Sequence, residues 1–371
     1  MNAAAESALP AIAAFGLPGS QLALPDHPLD EATWDDLMSV VRLQRLSGLL
    51  MSAVLADAMP VTDEQADQVH RVQSEEMAVA VMLERTLLEI TTELDRTGIP
   101  WRVLKGSAVA HLDYTDPSLR PFCDVDLLVP AADFDRAGAT LQANGYRRRF
   151  PQPRPGFDRQ FSKGASFFRL DGLSLDLHRT FVMGPFGLGI RLEDLWADSE
   201  HFELAGRSLP ALSPELRLMH AAYHAALGDW PPRLLPQRDL AEMVLFGGHD
   251  EEALLACAQR WAGEAVLAQA VRTMWALFAL ADVTALSTWA ERHEASDRDR
   301  RALSVYTSPD SSYAAKSVAA LRAIPGFRSK LSYVRALTFP TRGYLGVRHS
   351  SALSRLAYGV RGGLAARDRA P

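Results

Sequence analysis

Apolar positions in residues 30–98 recur at helical spacing: Trp34, Leu37, Val40 and Val41, then a Leu- and Met-rich run over 42–58, then Val69, Val72, Met77, Val81, Leu83, Leu87, Ile90 and Leu94. Side chains three and four apart share one helix face, so these stretches predict amphipathic helices, the last opening near Thr62 and closing at Gly98. After Pro100 the period shortens. Trp101-Arg102-Val103-Leu104 predicts a short strand, Gly106-Ser107 a turn and 108–112 the start of a helix. Residues 124–129, between Pro121 and Pro130, predict a strand, 131–144 a helix stopped by Gly145, and 146–150 another strand. Beyond a Pro-rich loop, 166–170 and 173–178 predict two strands joined by Asp171-Gly172, a strong hairpin pair. Helical patterns return at Ser213-Pro214-Glu215, with Ser as cap and Pro in the first helical position, and continue through 239–246, 251–261 and 265–280.

This order predicts an α+β or α/β chain in which a small mixed β-sheet core over 99–210 is flanked by N-terminal and C-terminal helical regions, 29–98 and 211–310. Residues 1–28, cut by Pro10, Pro18 and Pro25, are expected to form a flexible tail. A basic tail over 311–371 is expected to be partly helical, with breaks at Pro325, Pro340, Gly343 and Gly362-Gly363.

Composition narrows the class. With 48% apolar and 23% charged residues the chain is no disordered polymer. Its two cysteines, Cys123 and Cys257, form neither a disulfide framework nor a zinc pattern, which fits a reducing cytoplasm, and Cys123 is expected to pack. The N-terminus lacks the basic region of a secretory signal, and no stretch reaches the roughly 18 apolar residues that a membrane span needs, so no integral insertion is expected. The net charge of −6 conceals a polarity: residues 311–371 carry eleven Lys or Arg against Asp368 alone, leaving −16 for the rest. That tail either meets an anionic partner, RNA included, or packs on the acidic body, and packing is the simpler expectation.

The chemistry concentrates in the strand-rich middle. Alternation on a strand sends Asp124 and Asp126 to one face, with Cα atoms about 7 Å apart, and adjacent carboxylates repel unless a cation lies between them. A hard divalent ion such as Mg²⁺ resolves that repulsion and leaves coordination positions for substrate phosphate. In Leu173-Ser174-Leu175-Asp176-Leu177-His178 the polar residues share one face and the leucines the other, so Asp176 is either a third acid of that site or an exposed strand residue. Gly106-Ser107 before a helix is a weak phosphate-turn signal. Lys105 and Arg120 are further phosphate candidates, with a salt bridge as the commoner use of such residues, and His178 either orients Asp176, contacts substrate or packs. His220 and His224, four apart, lack a third ligand and are expected to pack; Arg238-Asp239 is placed at the start of the next helix, where an acid is often a cap, and its role is left open between cap and site.

A Gly-Ser turn opening a helix, Asp-x-Asp on the next strand and a lone Asp on a later one resemble the DNA polymerase beta-like nucleotidyltransferase superfamily. More narrowly, the chain looks like the bacterial family of uncharacterised nucleotidyltransferases, through Leu104-Lys105-Gly106-Ser107, Arg120 to Val129 with its Asp124-Val125-Asp126, Asp176-Leu177-His178, Leu195-Trp196, and Leu212-Ser213-Pro214-Glu215 leading to His220 and His224. The resemblance implies a nucleotidyltransferase core and a magnesium-dependent enzyme of the EC 2.7.7 type. Asp124, Asp126 and Asp176 would bind Mg²⁺ or Mn²⁺, with Asp176 as base, while Gly106 and Ser107 would hold the triphosphate of an NTP, ATP among them. The implied acceptor is a protein, a peptide, a small molecule or an RNA end. Transfer of the γ-phosphate in a kinase-like reaction, and non-catalytic nucleotide or RNA binding through the basic tail, are the alternatives. Lys105 stands where the superfamily more generally has an apolar residue.

Overall fold

The computed structural model describes residues 3–308 and 313–344 of the 371-residue chain. Its centre is a mixed sheet of seven strands: β1 Arg102–Val103, β2 Asp124–Leu128, β3 Arg147–Arg148, β4 Gly164–Phe168, β5 Ser174–His178, β6 Ser199–Leu204 and β7 Arg207–Leu212. They lie in the order β3-β4-β5-β2-β1-β7-β6. The β2–β5 and β1–β7 pairs are parallel and the others antiparallel. The β6–β7 hairpin has no counterpart in the strands predicted above. It turns on Ala205 and Gly206, both at positive φ (49° and 79°), the geometry a primed two-residue turn requires.

Strand alternation gives the sheet two faces of different character. Val125 and Leu127 of β2 and Leu175 and Leu177 of β5 point to the rear, into a core shared with the helices Asp63–Arg96 and Phe134–Ala143. The front face of the same strands carries Asp124, Asp126, Asp176 and His178. Gly164 allows β4 to approach β5 beside them, since a Cβ there would lie 2.1 Å from the Leu177 carbonyl oxygen.

The helix Asp63–Arg96 is about 50 Å long and joins the two main cores. Its first half, through Val69 and Val72, belongs to the large helical core, and its second half, from Ala80 to Leu94, backs the sheet. A reciprocal capping box starts it: Thr62 Oγ1 accepts from the Gln65 N–H while Gln65 Oε1 accepts from the Thr62 N–H. The C-terminal helices Pro214–Leu227, Leu234–Leu245, Glu251–Arg260 and Glu264–Leu277 pack together in the large core. The first of them has Pro214 in its opening turn, and Ser213 holds the cap position without a side-chain bond.

The expectation of a flexible tail over 1–28 is corrected here. Residues Ala3–Ala14 form a helix that runs through Pro10, and Ala5, Ala8, Leu9, Ile12 and Ala13 are buried in the large core. Small residues allow close approach, and the burial offsets the single N–H that Pro10 removes. Arg238, itself buried, donates from Nη1 to the carbonyl oxygens of Ala13 and Phe15, both at 2.7 Å. Ile12→Ala should therefore cost about 2–5 kcal/mol, read as a lowered urea midpoint; an unchanged midpoint would show that this helix contributes nothing to the fold.

The described part of the basic tail forms the helices Tyr313–Ala323 and Phe327–Thr338. They dock through Ala320, Ile324, Tyr333 and Ala336 onto Phe157 and Phe161. The Lys316 ammonium lies 4.8 Å from the centre of the Tyr306 ring, and among the described residues Arg322, Arg328, Lys330, Arg335 and Arg342 form no ion pair with the acidic body. The expected breaks at Gly362-Gly363 and the basic residues from Arg348 onward lie outside the described residues.

Candidate active site

Register brings the acids together. In the parallel β2–β5 pair Asp126 stands opposite Asp176 and Asp124 opposite Ser174. Asp126 is 1% exposed, while Asp124, at the start of β2, and Asp176, in the middle of β5, are half-buried. Carboxylate oxygens of Asp126 and Asp176 and a ring nitrogen of His178 lie within 4.8 Å of one another. Asp124, two residues up the same face, falls outside that tight group.

The buried carboxylate is held from two sides. His178 Nε2 donates to Asp126 Oδ1 at 2.8 Å, and Lys105 Nζ lies 3.2 Å from Oδ2. Burial pushes the Asp126 carboxyl up, but Lys105 and then His178 outweigh burial and hold it well below the usual carboxylate range. Burial and the neighbouring Asp126 charge instead raise Asp124, against the pull of Lys105. Burial disfavours the Lys105 ammonium as well, yet the charges of Asp126, Asp124 and Asp176 more than restore it, so Lys105 is a fixed cation of this cluster.

Asp126 Oδ2 passes the test for a metal ligand. It is buried and receives no aligned hydrogen bond, the ammonium of Lys105 approaching it as an ion pair only. His178 orients the same carboxylate through Oδ1, the usual arrangement in which a hydrogen-bonded neighbour fixes a ligating acid. With Asp176 opposite and Asp124 alongside, the donors are predominantly carboxylate oxygens, the chemistry that suits Mg²⁺ or Mn²⁺.

The Gly106-Ser107 turn is close by, the Gly106 position lying against the Asp124 backbone. Gly106, at φ 59°, needs a backbone region that favours glycine and opens the short helix Ser107–Leu112. The N–H groups of Gly106 and Ser107 donate to no acceptor among the described residues. Ser107 is buried and its hydroxyl donates to Glu84 Oε1 at 2.9 Å; His111 Nε2 lies 2.7 Å from the same oxygen. Glu84 was not among the predicted site residues, and its place on the exposed side of a helical repeat gave no signal for it.

Arg120 sits beneath this turn. It is buried and grips Asp239 with two bonds, Nε to Oδ1 at 2.8 Å and Nη2 to Oδ2 at 2.7 Å, while Nη1 reaches the Gly106 carbonyl oxygen at 3.4 Å. Asp239 also accepts from the Tyr114 hydroxyl at 2.9 Å. The placement of Asp239 at a helix start is corrected: its helix begins at Leu234, so Asp239 is in mid-helix and buried. Cys123 is exposed, against the expectation that it packs, because it precedes β2 and escapes its alternation.

His220 and His224 pack as expected, their rings stacked at 6.3 Å, with His220 edge-on to Phe181 at 4.8 Å. Burial, with Lys105 adding to it, holds the His220 imidazole well below its ordinary pKa. The unfolded chain binds a proton there below about pH 6.5 that the native ring refuses, so this stability is complete above that pH and declines as pH falls. We expect the urea midpoint to be lower at pH 5.5 than at pH 7.5 and His220→Asn to lessen the difference; an unchanged pH dependence in the variant would contradict this account.

Beside Asp176 and His178 the front face opens into a cleft of about 130 Å³. Sequence reading missed Lys163 and Ser166, which line it. Strand β4 begins at Gly164, two residues before the predicted start, and in its true register Ser166 lies directly opposite Asp176.

Residues 30–279 match the family model described as uncharacterised nucleotidyltransferase. No curated protein matches the chain. Among solved structures, the solution structure of the antibiotic-resistance factor ANT(2'')-Ia is 18% identical, with a TM-score of 0.33, over 49% of this chain and 94% of that one. An antigenic nucleotidyltransferase-like protein from Paracoccidioides brasiliensis is 17% identical, with a TM-score of 0.32, over 55% and 92%.

Proposed function

The chain belongs to the uncharacterised nucleotidyltransferase family, and from that premise we propose that Asp124, Asp126 and Asp176 form the metal-dependent centre of a transfer of nucleoside monophosphate from an NTP to an acceptor. The observation that carries this reading is the buried carboxylate of Asp126, opposite Asp176 across two parallel strands, whose Oδ2 has Lys105 as its charge partner but accepts no hydrogen bond. A divalent ion bound there supplies Lewis-acid charge to the transferring phosphoryl group and the departing pyrophosphate.

The chain's own groups do the rest. Lys105 and His178 keep Asp126 ionised and oriented at physiological pH. The free N–H groups of Gly106 and Ser107 receive the triphosphate, and Lys105 adds a positive charge beside them. Arg120 holds the turn in place through the Gly106 carbonyl rather than reaching for phosphate itself, because its fork is filled by Asp239. Asp176, half-exposed at the cleft, takes the proton of the attacking acceptor hydroxyl. The new bond joins that oxygen to the α-phosphorus as the bond from the α-phosphorus to the bridging oxygen breaks, and pyrophosphate leaves with the electron pair. The catalytic gain is positioning and charge neutralisation.

Chelation with EDTA should stop pyrophosphate release, and added Mg²⁺ or Mn²⁺ should restore it. Release that continues undiminished in excess EDTA would refute metal dependence. Among the described residues no helix is long and apolar enough to cross a membrane.

A further inference from the structure

The cleft beside Asp176 carries a positive charge, Lys163, that adds to the field on Asp126 without forming an ion pair with any acid of the cluster among the described residues. Its floor is the front face of β4 and β5, with Ser166 paired to Asp176 and His178 behind them. Phe150 and Tyr344 form apolar walls. The C-terminal segment is pinned as part of this enclosure: the Thr341 N–H donates to the Pro153 carbonyl oxygen at 2.9 Å, and Arg154 Nε donates to that of Phe339 at 2.7 Å. At its edge stands Lys163, exposed and with no ion-pair partner among the described residues. Arg148, the other cation of the lining, is already paired with Asp158.

A second cation lies under the same segment. Arg179 is 5% exposed, its Nε donates to the Ser162 carbonyl oxygen at 2.7 Å and its Nη2 has no hydrogen-bond partner. Its own N–H donates to the Lys163 carbonyl oxygen at 2.9 Å. Segment 162–163 is thus flanked by one buried and one free positive charge. The phosphate-turn residues Lys105, Gly106 and Ser107 do not line this cleft. Lys105 and Ser107 instead border a separate small void with Asp124 and Asp126.

Resting on the transfer reading above, we propose that this cleft holds the acceptor, a small hydroxylated molecule that presents its hydroxyl to Asp176 and an anionic group, phosphate or carboxylate, to Lys163. The spacing has a chemical logic. An unpaired cation at the rim attracts a ligand carrying the opposite charge and gives a neutral one no such gain, which sets a preference between them. Ser166, opposite Asp176, offers a hydroxyl that can accept from or donate to the same ligand.

Wild type, Lys163→Glu and Lys163→Arg are compared in two assays. The first is calorimetric binding of an α,β-methylene nucleotide with Mg²⁺. The second is transfer of α-label from NTP to acceptors in a cell extract, with glycerol, glycerate or glycerol 3-phosphate added as competitors. K163E should bind nucleotide within about two-fold of wild type, yet need roughly ten-fold more extract for the same transfer, and K163R should regain most of it. Glycerate or glycerol 3-phosphate should inhibit and glycerol should not; which of the two inhibits more strongly separates carboxylate from phosphate recognition. Normal transfer by K163E, parallel loss of nucleotide binding, or equal inhibition by glycerol would overturn the proposal. A wild-type protein that binds no nucleotide would overturn the transfer reading itself.

Discussion

Replacing Asp126 by Asn is expected to lower nucleotidyl transfer by at least about a thousand-fold while the fold survives. The substitution preserves the shape of the side chain and an oxygen to accept from His178 Nε2, but removes the charge that Oδ2 offers to a metal. It also leaves the Lys105 ammonium without its nearest partner, 3.2 Å away, although Asp124 and Asp176 still face it. Circular dichroism should therefore change little, while the urea midpoint should fall modestly, since a carboxyl held below its ordinary range contributes stability when ionised. Activity within ten-fold of wild type would remove Asp126 from the centre of the reaction.

The largest effect on stability is expected at Arg120. Its guanidinium and the Asp239 carboxylate are both buried and joined by two hydrogen bonds, with Tyr114 on the same acid. Arg120→Ala strands a buried carboxylate, a change that typically costs about 3–5 kcal/mol. Replacing both partners by apolar residues, Arg120→Met with Asp239→Leu, should recover much of the loss because no unpaired charge is then buried. The check is the urea midpoint of wild type and of the two variants. A stable Arg120→Ala protein with only a raised KM for nucleotide would instead make Arg120 the direct phosphate ligand predicted from its sequence position.

What could be read from the chain depended on how local the cause was. The front face of β2 and β5 was legible because two-residue alternation alone sorts Asp124, Asp126, Asp176 and His178 from the leucines between them. The pairing of Asp126 with Asp176 was not, since parallel register is decided by packing between segments fifty residues apart. Arg120 and Asp239 were each noticed, but nothing local marks two residues 119 positions apart as partners. The Ala3–Ala14 helix was hidden by Pro10, whose local penalty is outweighed by tertiary burial of Leu9 and Ile12. The β6–β7 hairpin was hidden by Pro210 and by a turn built on Ala205 rather than Asn or Asp. Lys163 and Ser166 were missed because their place beside Asp176 comes from the antiparallel register of β4 on β5, which no local pattern in the chain states.

The central claim is transfer of the nucleotidyl group through the Asp126–Asp176 cluster, and parallel incubations with α-labelled and γ-labelled NTP test it most directly. With Mg²⁺ and a cell extract, wild-type protein should place α-label on an acceptor and release γ-label as pyrophosphate, and Asp126→Asn should do neither. Label on the acceptor from the γ-position instead, or undiminished α-transfer by Asp126→Asn, would contradict the account.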